Sequence, residues 1–320
     1  MREPSSSHTD TSGGAGVREP RLLHTDTDES VNMREPSFSH ADAGCCVHMH
    51  IPTFSERIVV RGGGDLATGV VQKFVRAGFP VVIWETAAPT AIRRNVALCE
   101  AVYEGTAQVE DIVCCRVSGA DGLAACWREG MVPLLVDPLG ESLREIQPAA
   151  VIDAILAKRN LGTNRNMASI TIALGPGFCA GEDVDAVIET MRGHALGKLI
   201  LQGAALPDTG IPGDIKGKSA QRVLHAPTAG TVRSAKHIGD VVQAGEPVLR
   251  VGGAVLCAPF TGLLRGLIRE GAEVQSGMKI ADIDPRTDVD WHMISDKARC
   301  LGGAALEAYF YLQGRKGEGK

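Results

Sequence analysis

The chain has 320 residues, 44% of them hydrophobic and 22% charged, with a formal net charge of −5. That length suggests about two domains, and no basic field is present to hold nucleic acid or an anionic membrane surface. No apolar run approaches a membrane span, the N-terminus lacks a signal peptide's apolar core, and nine cysteines without CxxC spacing point to a reducing, cytoplasmic setting.

Residues 1–50 repeat themselves. REPSSSHTD begins at Arg2, REPRLLHTD at Arg18 and REPSFSHAD at Arg34. The copies carry His8, His24 and His40, which makes a metal-binding histidine array one reading. Ser, Thr, Asp, Gly and Pro dominate, so the favoured reading is a disordered extension, with no metal site. The globular pattern begins only near Ile51, as it would if a start codon had been placed too far upstream. A chain beginning at Met49 is expected to fold.

Ile58 to Glu85 is the most informative stretch: IVVRGGGDLATGVVQKFVRAGFPVVIWE. An apolar run enters three glycines, an amphipathic segment follows, and a second apolar run ends on an acid. Strand, tight turn, helix and strand fit the dinucleotide fingerprint G-x-G-x-x-A as Gly62, Gly64 and Ala67. The loop Gly62, Gly63, Gly64, Asp65, Leu66, Ala67 and Thr68 would offer backbone N–H groups and a helix N-terminus to a phosphate. Glu85 stands where a carboxylate takes a ribose 2′-hydroxyl. Asp65 would repel a diphosphate unless it points away or caps the helix.

Thr90 is placed to cap a short helix carrying Arg93 and Arg94, which either reach a phosphate or carboxylate or form a solvated face. Asp121 to Glu129 reads as helix. Val132 to Val136 and Ala149 to Ile152 read as buried strands ending in Asp137 and Asp153. Carboxyl ends of strands are where ligands bind in open α/β sheets, with turn and cap roles as the alternative. Lys158, Arg159 and Asn160 follow closely. Next, Ile170 to Leu174 runs into GPGFCAGEDVDAVIETMRGH. Gly175 and Gly177 flank a proline in a narrow loop able to hold an anion. Cys179, with His194 some fifteen residues on, is a weak candidate nucleophile or selenium carrier, and Lys158 a weaker one; an inert turn is the alternative.

From His225 and again from Cys257 the chain repeats itself at an offset of thirty-two: Ala226-Pro227 and Ala258-Pro259, Gly230 and Gly262, Gly239 and Gly271, Gly245 and Gly277. Short strands with glycine turns at fixed phase predict a pseudo-symmetric β-sandwich. This repeat resembles biotinyl/lipoyl carrier domains, the barrel-sandwich hybrid. Those carriers present a lysine at the hairpin joining the halves, where Val251, Gly252, Gly253 and Ala254 stand here, so covalent biotin or lipoate is not expected. Ile294 to Leu312 has helical spacing with Ser295 as its cap.

The expected architecture is α/β: a disordered extension (1–50), a Rossmann-like parallel domain (51–165), a connecting β-rich segment with a glycine-rich loop (166–222), a lysine-free sandwich (223–285) and a terminal helix (286–320). RGGGDLATGV, AIRRNVALCEAVYEG, VDPLGE, DAILAKRNLGT, LGPGFCAGEDVDAVIETMRGH, DTGIPG and ISDKAR, occurring in that order, resemble the YqeB-type proteins. The resemblance covers roughly Glu56 to Leu312. It implies a Rossmann-like domain and an accessory role in maturing selenium-dependent molybdenum hydroxylases, with such a hydroxylase as partner. It supplies no catalytic residues. The leading expectation is a maturation factor binding a phosphate-bearing ligand at the glycine loop, either molybdopterin, its nucleotide form or a nucleotide. An NAD-dependent oxidoreductase and a non-catalytic docking scaffold are the alternatives. Nothing marks the chain as certainly an enzyme.

Overall fold

The computed structural model describes residues 51–317. The N-terminal repeats and their three histidines lie outside the described residues. In chain order the α/β part comprises β1 (Ile58–Arg61), α1 (Asp65–Arg76), β2 (Val81–Glu85), α2 (Ala101–Glu104), β3 (Thr106–Val109), β4 (Ile112–Val117), α3 (Leu123–Arg128), β5 (Val132–Val136), α4 (Leu143–Ile146) and β6 (Ala150–Asp153). It continues through β7 (Ile170–Leu174), β8 (Cys179–Ala180), β9 (Ala186–Ile188), β10 (Leu199–Ile200) and β11 (Gly203–Ala204). A β-rich part follows: β12 (Val223–His225), β13 (Gly230–Ser234), β14 (Val241–Val242), β15 (Pro247–Val251), β16 (Ala254–Cys257), β17 (Gly262–Leu267), β18 (Glu273–Val274) and β19 (Lys279–Asp284). Helix α5 (Asp296–Gly317) closes the described chain.

One nine-stranded sheet runs β10-β9-β7-β6-β1-β2-β5-β4-β3. The seven inner strands are parallel, and β10 and β3 pair antiparallel at the two edges. The stretch 166–222, read as a connector, instead supplies β7, β9 and β10 to this sheet. Ile170, Ile172, Leu174, Ala186 and Ile188 are all buried, and an apolar run covered on both faces belongs inside a parallel sheet. The β3–β4 hairpin went unread because Glu110 takes the left-handed conformation (φ 53) that an Asn-Gly pair would have advertised. Thr90 starts no α-helix; a 3₁₀ turn spans Arg94–Val96.

Helix α1 buries Ala67, Val70, Val71 and Phe74 against the sheet, and α5 lies beside it on the same core. The two helices touch through backbone. A Cβ on Gly69 or Gly302 would overlap the facing helix's carbonyl group, at Ala298 and Gly69 respectively. Pairing of Gly69 with Ala298, Lys73 with Gly302 and Phe74 with Tyr309 (ring centroids 5.8 Å) makes the helices parallel. Ser295 does cap α5, its Oγ accepting from the Ala298 N–H at 3.2 Å.

The β-rich part is two four-stranded sheets, β12-β19-β17-β14 and β16-β15-β13-β18. Adding thirty-two to a strand of the first repeat gives its counterpart in the other sheet, so each repeat contributes to both sheets and neither repeat closes a core alone. The two sheets share one apolar core, which Ile92 from the α/β part joins. The Leu267 N–H donates to Ile92 O at 2.7 Å, and Arg94 Nε donates to Leu267 O at 2.8 Å. Arg269 extends the contact, bonding Glu100 and Glu104 and lying over the Tyr103 ring.

Within the sheets Asp282 and Asp284 are buried carboxylates held by Arg222, Arg265 and Arg286. Burial alone would raise both carboxyls, but the arginines outweigh it and each is held below its ordinary value. A depressed folded pKa gives stability that is present above the unfolded value of about 3.9 and lost as pH falls below it. Thermal melting is therefore expected to drop steeply between about pH 4 and lower values. That acid step should shrink in Asp282→Asn, which will start from a lower midpoint because the guanidinium groups of Arg222 and Arg265 lose their charge partner.

Candidate functional site

In the sheet, β1 has β2 on one side and β6 on the other, so the chain reverses direction of growth at β1. The crevice beyond the carboxyl ends of β1 and β6 is the expected binding place in such a sheet. The glycine turn lies there, yet its first two glycines are closed in by neighbouring backbone. The Gly62 N–H donates to Trp84 O at 2.7 Å, and the Gly63 N–H donates to Glu85 Oε2 at 2.7 Å. Gly63 O accepts from the Cys99 N–H at 2.8 Å. A Cβ on Gly63 would lie 2.9 Å from the Cys99 nitrogen, and one on Gly62 3.1 Å from Ala154 O. Gly62 also needs φ +95. Gly62 and Gly63 thus serve close approach of neighbouring backbone, whereas a Cβ on Gly64 would meet nothing within 4 Å, so the turn is open only at its last glycine, ahead of α1.

Glu85 is committed to this turn. Its second oxygen accepts from the Thr86 N–H at 2.7 Å. Burial raises its pKa despite the two amide donors. The parallel register sets Trp84 opposite Arg61, which brings the next side chain within reach of the turn rather than of a ribose. Thr68 also works internally, with Oγ1 donating to Gly64 O and accepting from the Leu98 N–H, while Ala67 is buried in the core.

Asp153 and Asp137 are structural. Asp153 pairs with Arg61 at 3.7 Å, accepts from Thr163 Oγ1 at 2.6 Å and from the Ile155 N–H at 3.1 Å. Asp137 accepts from the Glu141 and Ser142 N–H groups ahead of α4. Gly175 and Gly177 pack against Thr190 and Arg159. Cys179 is half-buried, and desolvation with the neighbouring Glu182 and Asp183 carboxylates pushes its thiol up, away from thiolate. Among the described residues no hydrogen bond joins it to His194, which is exposed. Lys158 pairs with Asp208 at 3.2 Å. The described residues hold no cluster of three or more His, Cys, Asp or Glu fit for a metal.

The open space lies one step further on. A cleft of about 730 Å³ separates the first turn of α1, the first turn of α5 and the sheet carrying β17 and β19. Seven Lys or Arg side chains line it against five Asp, so its walls are positive in a negative chain. Helix α1 enters it through Asp65 and Leu66. Gly64, not Asp65, is the N-cap, and no side chain caps the helix. Asp65 instead turns to Arg93 Nη1 at 3.5 Å.

Arg93 is the unusual group. Its side chain is 10% exposed and its Nε has no partner. Beyond Asp65, among the described residues, it has only the Met293 carbonyl, at 3.5 Å. Desolvation lowers its pKa. A buried cation held by two long contacts is under-satisfied, and an anion in the cleft would relieve it. Its neighbour Arg94 points elsewhere, to Leu267 and Glu100. Of the predicted residues, then, the structure brings Asp65, Leu66 and Arg93 into one open site. Arg192, Lys279, Arg286 and Lys297 of the cleft carry no local signature; only the charged start of ISDKAR hinted at the last.

No family model matches the chain. It is 46% identical over 256 residues to "Uncharacterized protein YqeB" of Escherichia coli K12, a match covering 80% of this chain and 47% of that one. Over those residues the chain is a homologue of YqeB. It spans about half the length of this curated relative. Two solved structures are also similar: the ectoine utilization protein EutE (DoeB) of Ruegeria pomeroyi, product-bound, and a succinylglutamate desuccinylase of Silicibacter sp.. They are 14% and 13% identical, each covering 71% of this chain and 85% and 84% of their own, with a TM-score of 0.22 in both cases. At that TM-score neither defines the fold of this chain. Among the described residues no helix is long and apolar enough to cross a membrane.

Proposed function

We propose that the chain is an accessory protein in the maturation of selenium-dependent molybdenum hydroxylases, holding a phosphate-bearing ligand in the cleft at the start of α1. The ligand is a molybdopterin-type cofactor, its nucleotide form or a nucleotide. The observation that carries the binding part is Arg93, nine-tenths buried beside a helix N-terminus and short of acceptors. The maturation part rests on the seven ordered motifs and on the similarity to YqeB. The seat lies beyond Gly62 and Gly63, whose N–H groups are used internally.

An NAD-dependent oxidoreductase is less favoured, because the acid expected to select the ribose is bonded to Gly63 and Thr86. The paired four-stranded sheets are read as a barrel-sandwich hybrid of the biotinyl/lipoyl type. Gly252 and Gly253 form the tight turn between β15 and β16, where a carrier holds its lysine. In this reading the sheets wall the cleft and dock the hydroxylase.

Native mass spectrometry of the gently purified chain tests the ligand: a phosphate-bearing pterin or nucleotide adduct is expected. A chain that is always ligand-free, and that binds neither nucleotides nor inorganic phosphate by calorimetry, would sink the binding part. Full hydroxylase activity in a selenium-requiring host lacking the gene would sink the maturation part.

A further inference from the structure

The starts of α1 and α5 carry the same device. Each helix has an aspartate as its first residue, and each aspartate is clasped by an arginine from another segment. Asp65 meets Arg93 at 3.5 Å, and Asp296 meets Arg192 through two contacts of 3.0 and 3.2 Å. The helices are parallel, so both positive ends face the same cleft. Backbone contact at Gly69 and Gly302 keeps the axes at or inside the usual packing distance of about 8 Å.

Two further observations point to a ligand. Arg93 is one. Arg222 is the other: it lines the same cleft, its side chain is 5% exposed, and its Nε has no partner although its other nitrogens bond Gly213 O and Asp282. Between the clasps stands Lys297, the second residue of α5. Among the described residues no ion pair or hydrogen bond reaches its ammonium group. Burial, Arg192 and Lys158 push its pKa down, while Asp65 pulls it up, which puts it in the field of both ends. A half-buried cation at a helix N-terminus works against the helix dipole, so it calls for an anion.

Granting that the cleft takes a phosphate-bearing ligand, we propose that this ligand carries two separated anionic groups, one received at each helix start, with Arg93 and Lys297 as the hooks. A single phosphate must compete with the carboxylate already clasped at its seat. Two linked groups share the cost of entry, because binding of the first raises the effective concentration of the second. The spacing of the helix axes fits anions several ångström apart, such as a bisphosphate across a short spacer or a phosphate and a carboxylate.

Calorimetry with pentyl phosphate and pentamethylene bisphosphate isolates the second anion. The bisphosphate is expected to bind about tenfold or more tightly than the monophosphate. Lys297→Gln and, separately, Arg192→Gln should bring that ratio toward one; Arg192 is exposed and Lys297 half-buried, and thermal melting checks that each variant is folded. Equal affinities in the natural chain overturn the two-anion inference, as does a ratio untouched by both substitutions. Binding of neither compound would instead overturn the phosphate reading of the cleft.

Discussion

Arg93→Met is expected to weaken binding of inorganic phosphate and phosphate monoesters by about 10- to 100-fold while leaving the protein as stable as before or slightly more so. A charge-assisted hydrogen bond is worth about 1.5–3 kcal/mol, which sets the scale of the loss. The stability expectation runs the other way for a specific reason. In the unliganded protein Arg93 is desolvated without good acceptors, having only contacts of 3.5 Å and an orphan Nε. Replacing such a cation by an apolar chain of similar length removes a desolvation penalty and keeps the packing beside Gly266. Calorimetry and thermal melting on one preparation check both halves. A large fall in melting midpoint with unchanged phosphate binding would assign Arg93 to the scaffold and leave the cleft without its hook.

Gly302→Val should be the most damaging single change in α5. A side chain there would overlap Gly69 O across the helix pair, and that neighbour is backbone that cannot swing aside. Overpacking of this kind costs about 3 kcal/mol or more, a fall in melting midpoint of about 6–12 °C for a unit of this size. Gly303→Ala is the matched control. An added Cβ there meets nothing within 4 Å, so the gain in helix propensity should leave stability unchanged or raise it by up to about 1 kcal/mol. The valine variant should also lose phosphate affinity, because splaying the helices separates the two N-termini that face the cleft. If both variants melt alike, the parallel contact of α1 and α5 is wrong, and the shared cleft with it.

Much of the fold was legible locally. The run from Ile58 to Glu85 announced strand, turn, helix and strand because apolar blocks, glycines and an amphipathic segment follow one another without long-range help. The second strand ended where expected, at Glu85, and the first runs one residue past its apolar block, to Arg61. The thirty-two-residue offset foretold two matching sets of strands, since a repeat in sequence folds twice by the same rules. What it did not foretell is that each set is divided between two sheets. The terminal helix and its Ser295 cap were legible because capping is a short-range matter.

The site was less legible, and the glycines show why. Gly62 and Gly63 have the residue type a phosphate loop needs, but glycine answers equally to any close approach, and here the approaching groups are Ala154 and Cys99. Glu85 has the right spacing for a ribose acid, yet the nearest donor in space is the Gly63 N–H. By itself the sequence determined the strand–turn–helix–strand start, the doubled β-rich part, the capped last helix and the presence of Arg93 in a charged segment. Only the tertiary structure decided where the cleft opens. Its walls come from α1, the Arg93 loop, Arg192, β17, β19 and α5, which are up to about 230 residues apart, and no local pattern encodes which distant charges will meet. That meeting is settled by burial. Packing α5 along α1 through two glycines sets both helix N-termini, and the cations around them, on one open space.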